Sequence, residues 1–278
     1  MYKIIRHLSI DVAIGASSMM YLVAGYLHIE VDSRYYFLLA LITWLIYTTD
    51  HLMDARNIKH EASTPRHRFH QHYYKLILSA AIIGLFLFVG LIPRQTTETL
   101  FRLSLGLSGM ILLYFLSLIW ARKTQFRYVI KELFIAACYT VGVSLVPIYH
   151  AWPLAVENYL FLGAMFCLAL SNLLLFSVHE VHIDLKDENP SVIRFIGVQN
   201  LKKILQVIIW LQVALSLYLY LNNAALPSLL LLIMGGLMLC LFYFPAAFKK
   251  QEAYRVFGDG IFLIPIMAGA LTYILERL

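Results

Sequence analysis

The sequence predicts an all-α fold, a polytopic membrane protein with nine transmembrane helices in a single bundle. Of its 278 residues, 61% are hydrophobic and 14% are charged, whereas a soluble globular protein carries roughly 25% charged residues. A transmembrane helix needs about 20 mostly apolar residues, and the chain contains nine such segments, which leave only short connections. Residues 1–278 are therefore predicted to form one integral membrane domain. The segments are roughly residues 8–28, 35–53, 73–92, 100–120, 128–148, 154–178, 203–222, 226–246 and 257–275.

The first apolar segment predicts a retained helix. It is longer than the apolar core of a secretory signal peptide, and it leads directly into a second apolar segment. We therefore expect residues 8–28 to stay in the membrane as helix 1.

The basic residues predict how the nine helices are oriented. If the connections alternate between the two sides, all but four of the 22 Lys and Arg residues fall on the side of the N-terminus. Connections rich in Lys and Arg stay in the cytoplasm. The N-terminus is therefore predicted to be cytoplasmic and the C-terminus to lie across an inner or plasma membrane. The net charge of +6 is explained by the basic residues that orient the helices in the membrane. We therefore expect no nucleic acid partner.

Two predicted helices end in acidic segments at the same membrane face. Helix 2 ends with TTDHLMDARN, in which Asp50 and Asp54 are four residues apart and share one side of a continuing helix. Helix 6 ends with SVHEVHIDLKDEN, in which Glu180, Asp184 and Glu188 follow at the same spacing. Because the two segments are four helices apart, they suggest a weak internal repeat of helices 1–4 and 5–8.

Carboxylates at the edge of the hydrocarbon region are costly unless they are paired or bind a metal. Magnesium is the natural candidate, because it is held by one or two carboxylates together with phosphate oxygens of a substrate. Basic residues that follow helix 2 and flank the connection between helices 4 and 5 are candidates to bind the rest of an anionic substrate. They include Arg66, Arg68, Lys123 and Lys131. The alternative is a solvated surface on which acids and bases pair loosely.

These features together resemble the UbiA superfamily of intramembrane prenyltransferases. The resemblance consists of nine spans, acidic motifs that end helices 2 and 6, and a segment rich in tyrosine and basic residues, YFLSLIWARKTQFRYVIKE. In that family the acidic motifs bind magnesium and the diphosphate of an isoprenoid donor. The family's first motif is usually NDxxDxxxD. This chain reads DHLMDARNI, in which only Asp54 matches as an aspartate.

The resemblance implies magnesium-dependent transfer of a prenyl group from an isoprenoid diphosphate to an aromatic or lipid acceptor within the membrane. The implied catalytic residues are Asp50, Asp54, Glu180, Asp184 and Glu188. All of them except Glu180 would be direct magnesium ligands. The implied substrate contacts are Arg66, Arg68, Lys123, Lys131, Tyr114, Tyr139 and Asn172.

Two other classes of function stay open at this point. The strings HRFHQH and HEVH resemble the histidine boxes of membrane di-iron desaturases, whose iron needs imidazole ligands, although adjacent histidine pairs do not occur here. A transporter or a non-catalytic subunit is the other alternative. Asp11 and Asp259 lie within predicted helices, where acids either mark ion or substrate pathways or serve as caps or pairs inside the bundle.

Overall fold

A computed structural model describes residues 2–58, 60–92, 97–120, 127–181, 192, 196–248 and 252–277. Within these residues the secondary structure is helical, and no β-strand occurs. The helices are α1 (Tyr2–His7), α2 (Ile10–Tyr26), α3 (Ser33–Asn57), α4 (Pro65–His72), α5 (Tyr74–Leu91), α6 (Glu98–Trp120), α7 (Arg127–Ala151), α8 (Val156–His179), α9 (Val198–Asn223), α10 (Leu226–Tyr243), α11 (Ala253–Ile261) and α12 (Ile264–Leu275).

The protein is an all-helical, multi-pass membrane protein. Six helices are long and apolar enough to cross a membrane, namely α3, α5, α7, α8, α9 and α10, and the bent pair α11 and α12 would form a seventh. Helices α2 and α6 cover the two remaining predicted segments. Large apolar side chains on α5 are exposed, such as Phe86 at 74%, as expected of a helix that faces lipid. The total of nine spans stays a prediction.

Helix α8 lies at the centre of the packing. It contacts α7, α9, α10 and α11, and it buries a larger share of its residues than the other candidate spans do. Phe161 in its first turns is 1% exposed and stacks on Tyr26 of α2 with ring centroids 3.8 Å apart. Because α8 is held on several sides, its C-terminal end has a fixed position against the neighbouring helices.

The connection from α3 to α4 is held by polar side chains. Thr64 caps α4, with its hydroxyl accepting from the backbone N–H of His67 at 3.2 Å, and Pro65 occupies the first turn, where a missing N–H costs nothing. The Gln71 amide donates to the carbonyls of Ile58 and His60, and its oxygen accepts from a backbone N–H in the connection. These bonds hold α4 against the C-terminal end of α3.

The last predicted span, residues 257–275, is not one continuous helix. It is broken into α11 and α12, which are bent by 58° relative to each other. Pro265 lies in the first turn of α12 and has no N–H to continue the ladder from α11. The next N–H, that of Ile266, donates instead to the Ser18 hydroxyl of α2 at 3.0 Å. The predicted span itself stays a prediction, because the bent pair would cross a membrane as one broken span.

Substitutions at two neighbouring glycines of α10 would test how closely α9 packs against it. A Cβ at Gly235 would lie 1.9 Å from Oε1 of Gln212, whereas a Cβ at Gly236 would meet no atom within 4 Å. Gln212 is buried and donates to the Leu231 carbonyl at 2.9 Å, so it cannot easily move away. We expect Gly235→Ala to cost about 1–3 kcal/mol through overpacking.

The matched control is Gly236→Ala, which we expect to be neutral or to stabilise by up to about 1 kcal/mol through helix propensity. The melting temperature of each variant in detergent measures the difference. Equal melting temperatures for the two variants would contradict the close contact of α9 and α10 at Gly235.

Candidate functional site

A cavity of about 400 Å³ runs between α3, α6, α7 and the C-terminal end of α8. Along α3 its lining extends from Tyr35 to Asp54, a helical rise of about 28 Å. One end is lined by charged side chains of α3, α4, α7, α8 and α11. The rest is lined mainly by aliphatic side chains, among them Leu38, Ile42 and Val146. The cavity is therefore long and apolar with one charged end.

Asp50 and Asp54 both line the charged end. Helix α3 continues to Asn57, so the two carboxylates lie on one face of it, one turn apart, as the spacing predicted. Lys131 of α7 also lines the cavity and interacts electrostatically with both aspartates. Helices α3 and α7 therefore bring the two acids and this ammonium group together in the cavity wall.

Arg66 reaches the charged end from α4 and is almost fully buried. Its Nη1 lies 3.2 Å from Nε2 of His51 on α3, whereas its Nη2 is buried and has no hydrogen-bond partner among the described residues. Burial and the nearby Arg255 guanidinium lower the pKa of Arg66 from its usual value. Two like charges thus share one buried region, which favours the binding of an anion between them.

Glu180 and Arg255 form a buried ion pair between α8 and α11. The Tyr254 hydroxyl donates to Glu180 Oε1 at 3.0 Å, and Arg255 donates to both carboxylate oxygens. Burial raises the pKa of Glu180, but the Arg255 guanidinium, with the Tyr254 hydroxyl and Arg66, lowers it by more, so the pKa of Glu180 lies below its usual value. Glu180 lines the cavity, yet its oxygens already accept hydrogen bonds from Arg255 and Tyr254.

Asp259 adds an acid to the cavity wall from α11. Gly258 beside it allows α11 to approach α8, because a Cβ there would lie 2.6 Å from Oδ1 of Asn172. The Asn172 side chain interacts with the Asp259 carboxyl group and lines the cavity itself. From the sequence Asp259 was expected only as a general intramembrane acid, whereas the structure places it in the wall of the same cavity as Asp50 and Asp54.

The predicted aromatic contacts lie further along the cavity. Tyr114 of α6 and Tyr139 of α7 both line it. Tyr114 stacks on Phe134 with ring centroids 4.9 Å apart, and Tyr139 packs edge-on against Phe262 at 5.7 Å. These rings mark the change from the charged end to the apolar part.

Four of the predicted site residues are not placed at the cavity. Arg68 points away from it, with Nη1 donating to the carbonyls of Ala62 and Ser63 and its Nε 3.7 Å from Glu61. Asp184, Glu188 and Lys123 lie outside the described residues. The acids that the structure places at the cavity therefore come from α3, from the cap of α8, and from residues that the sequence analysis did not assign to the site.

Besides Asp259 and the histidines, two residues of the charged end were not assigned to the site from the sequence. Arg255 lies just before the last predicted span and was counted only as a topology signal, and Glu132 lies next to the predicted Lys131. A basic residue a few positions before the GDG sequence at residues 258–260 was the available signal for Arg255.

The histidines are spread over several environments. His51 and His67 line the cavity, and the ring of buried His70 lies 5.2 Å from that of His51. His60 and His72 are exposed. Further along, His179 stacks on Tyr254, and His182 is outside the described residues. The described histidines thus bring two imidazoles to the cavity, fewer than the ligand-rich set that a di-iron centre requires.

Comparisons of the chain with protein-family models, with curated proteins and with solved structures found no match. The resemblance to the UbiA superfamily therefore depends on the sequence motifs quoted above. What this chain does must be inferred from the geometry of its cavity.

The ion pair at the end of α8 makes a pH-dependent contribution to stability. We expect Glu180→Gln to destabilise the protein by about 3–5 kcal/mol at neutral pH, because the Arg255 charge stays buried without its partner. The pKa of Glu180 is lowered in the folded state from a usual value of 4.5. The stabilisation is therefore complete above pH 4.5 and is lost as the pH falls through the lower, folded-state value.

Melting temperatures of the wild type and Glu180→Gln across this pH range measure the effect. The gap between the two proteins should be constant above pH 4.5 and should narrow below it. Glu157→Gln, at an exposed position in the first turn of α8, is the control and should show no gap. A gap for Glu180→Gln that widened on acidification would contradict the ion pair.

Proposed function

We propose that this protein transfers a prenyl group from an isoprenoid diphosphate to a hydrophobic acceptor, aromatic or lipid, within the membrane. The observation that carries the proposal is a cavity that extends about 28 Å along α3 and has one charged end and a long apolar part. Its shape and polarity suit a ligand with an anionic head and a long hydrocarbon tail. A site for a small polar substrate would not need the apolar part.

The charged end supplies cations for a diphosphate. Arg66, Lys131 and Arg255 line it from α4, α7 and α11. Guanidinium groups bind phosphate oxygens through paired hydrogen bonds, and Arg66 has a buried Nη2 that makes no hydrogen bond to the described residues. A diphosphate would give this nitrogen an acceptor and would separate the charges of Arg66 and Arg255.

Asp50 and Asp54 suit a magnesium ion. They are two carboxylates on one helix face, both at the cavity wall, and magnesium is commonly held by such a pair together with phosphate oxygens. Magnesium bound there would neutralise charge on the diphosphate leaving group. Glu180 fits this role less well, because its oxygens already accept from Arg255 and Tyr254. Asp184 and Glu188 stay proposed ligands.

The protein's own groups would act on the two charges that separate in the reaction. When the bond between the allylic carbon and the diphosphate oxygen breaks, its electron pair leaves with the diphosphate, which the cations of the charged end stabilise. The positive charge on the allylic carbon would lie against aromatic rings, of which Tyr47, Tyr139 and Phe176 line the cavity. Such rings stabilise cations through their faces.

A second candidate function is transport of an amphipathic anion. The break between α11 and α12 follows Asp259, which lines the cavity, and helices interrupted beside a binding site are typical of transporters. The two functions differ in outcome, because a transporter binds the prenyl diphosphate and releases it unchanged, whereas a prenyltransferase releases inorganic diphosphate.

Thermal stability of the detergent-solubilised protein tests the proposed ligand. We expect farnesyl or geranylgeranyl diphosphate to raise the melting temperature only when Mg²⁺ is present, since a ligand that binds the folded state stabilises it by mass action. Asp54→Asn should abolish the rise, and Lys131→Ala should reduce it.

Arg68→Ala is the matched control, because Arg68 lies on the same helix as Arg66 but points away from the cavity. It should keep the full magnesium-dependent rise. The proposal fails if the wild type shows no rise, or if Asp54→Asn retains all of it. Release of inorganic diphosphate in the presence of membrane lipid extract then separates a transferase from a transporter.

A further inference from the structure

Three side chains at the charged end, one of them Asp54 of the aspartate pair, could together hold a metal ion. His51 and Asp54 of α3 and His67 of α4 each offer one ligand atom, and these three atoms lie within 4.8 Å of one another. Nε2 of His67 is 3.9 Å from Oδ2 of Asp54. The two imidazoles come from different helices, so the group depends on the packing of α4 against the end of α3.

We propose that His51, Asp54 and His67 bind a divalent transition-metal ion of the zinc and ferrous-iron class. Two imidazoles and one carboxylate suit these ions, whereas Mg²⁺ prefers oxygen ligands alone. Ligands of one zinc ion lie about 2.0–2.2 Å from it, hence at most about 4.4 Å apart. The three ligand atoms lie within 4.8 Å of one another. Side-chain rotations that move each atom by about 0.5 Å would bring them close enough to bind one ion.

The state of His51 supports the site. Its side chain is 93% buried, since 7% is exposed, it faces the cavity, and its Nδ1 has no hydrogen-bond partner among the described residues. A guanidinium has only donors, so the contact with Arg66 Nη1 requires a lone pair on Nε2 of His51. A buried imidazole with one unpartnered nitrogen and a lone pair facing a cation is suited to a metal ligand.

The Arg66 guanidinium places a positive charge next to the His51 ring. A metal ion on Nε2 of His51 would replace this contact and release the guanidinium toward the cavity. Buried His70 stands behind His51, and its Nδ1 donates to the Arg66 carbonyl at 3.0 Å, which holds this part of α4 in place.

This inference goes beyond the proposed function, because it concerns a metal of a different class and needs no prenyl substrate. Asp54 belongs to both sets of ligands, whereas His51 and His67 belong only to this one. Variants of the histidines therefore separate the two proposals.

Titration of the metal-free, detergent-solubilised full chain with Co²⁺ tests the site. Visible absorption of bound Co²⁺ reports nitrogen and oxygen coordination directly. We expect one Co²⁺ per chain, displaced by an equal concentration of Zn²⁺ but not by a large excess of Mg²⁺. His67→Ala and Asp54→Asn should each weaken Co²⁺ binding by more than about 10-fold, the smallest effect expected even for an outer-shell partner.

His72→Ala is the matched control, because His72 lies on the same helix and is exposed, and it should bind Co²⁺ as the wild type does. The His67 side chain is 13% exposed, so the melting temperature of His67→Ala without metal is measured to verify that the variant folds. The site is refuted if the wild type does not bind Co²⁺, if His72→Ala loses binding as His67→Ala does, or if Mg²⁺ displaces Co²⁺ as readily as Zn²⁺.

The melting-temperature assay with prenyl diphosphate and Mg²⁺ distinguishes failure of the metal site from failure of the proposed function. Loss of Co²⁺ binding in His67→Ala with a retained magnesium-dependent rise in melting temperature supports the metal site and the proposed function together. A wild type that shows this rise but binds no Co²⁺ refutes the metal site alone.

Discussion

The ion pair of Glu180 and Arg255 is the interaction on which the charged end of the cavity depends. It joins the end of α8, which is fixed by packing on several sides, to α11, which is only nine residues long. Each charge would be costly in this buried place without the other. Because the pair holds α11 against α8, it also positions Asp259 in the cavity wall. A second ion pair, Arg6 with Glu252 at 2.9 Å, ties the start of the same segment to α1.

The apolar part and the charged end of the cavity are built from different kinds of contacts. The apolar part of the cavity is built from helices that also face lipid, and aliphatic side chains there need no partners. The charged end gathers cations and acids from five helices, and each group depends on others for compensation. A change at one residue of the charged end therefore disturbs several neighbours, whereas a change in the apolar part is expected to stay local.

Much of the helical pattern could be predicted from the sequence, because runs of about 20 apolar residues have few alternative structures in a membrane. The spacing of Asp50 and Asp54 predicted a shared helix face, which α3 shows. The bend at Pro265 and the inward turn of Arg255 could not be predicted with the same reasoning. They depend on contacts between segments far apart in the chain, such as Ile266 with Ser18. Arg66 and Arg68 differ in role for a related reason, since two residues apart on a helix point to different sides.

The junction of α4 and α5 links the cavity to the thickness of the bilayer. Only Tyr73 separates the two helices, and it belongs to both hydrogen-bond ladders, since its N–H donates to Phe69 and its carbonyl accepts from Ile77. Helix α5 has 18 residues, a length of about 27 Å against a hydrocarbon core of about 30 Å. A helix of this length changes its tilt or deforms the surrounding lipid when the membrane thins or thickens. A change in the tilt of α5 would therefore be transmitted through the backbone bonds of Tyr73 to α4, the helix that carries Arg66.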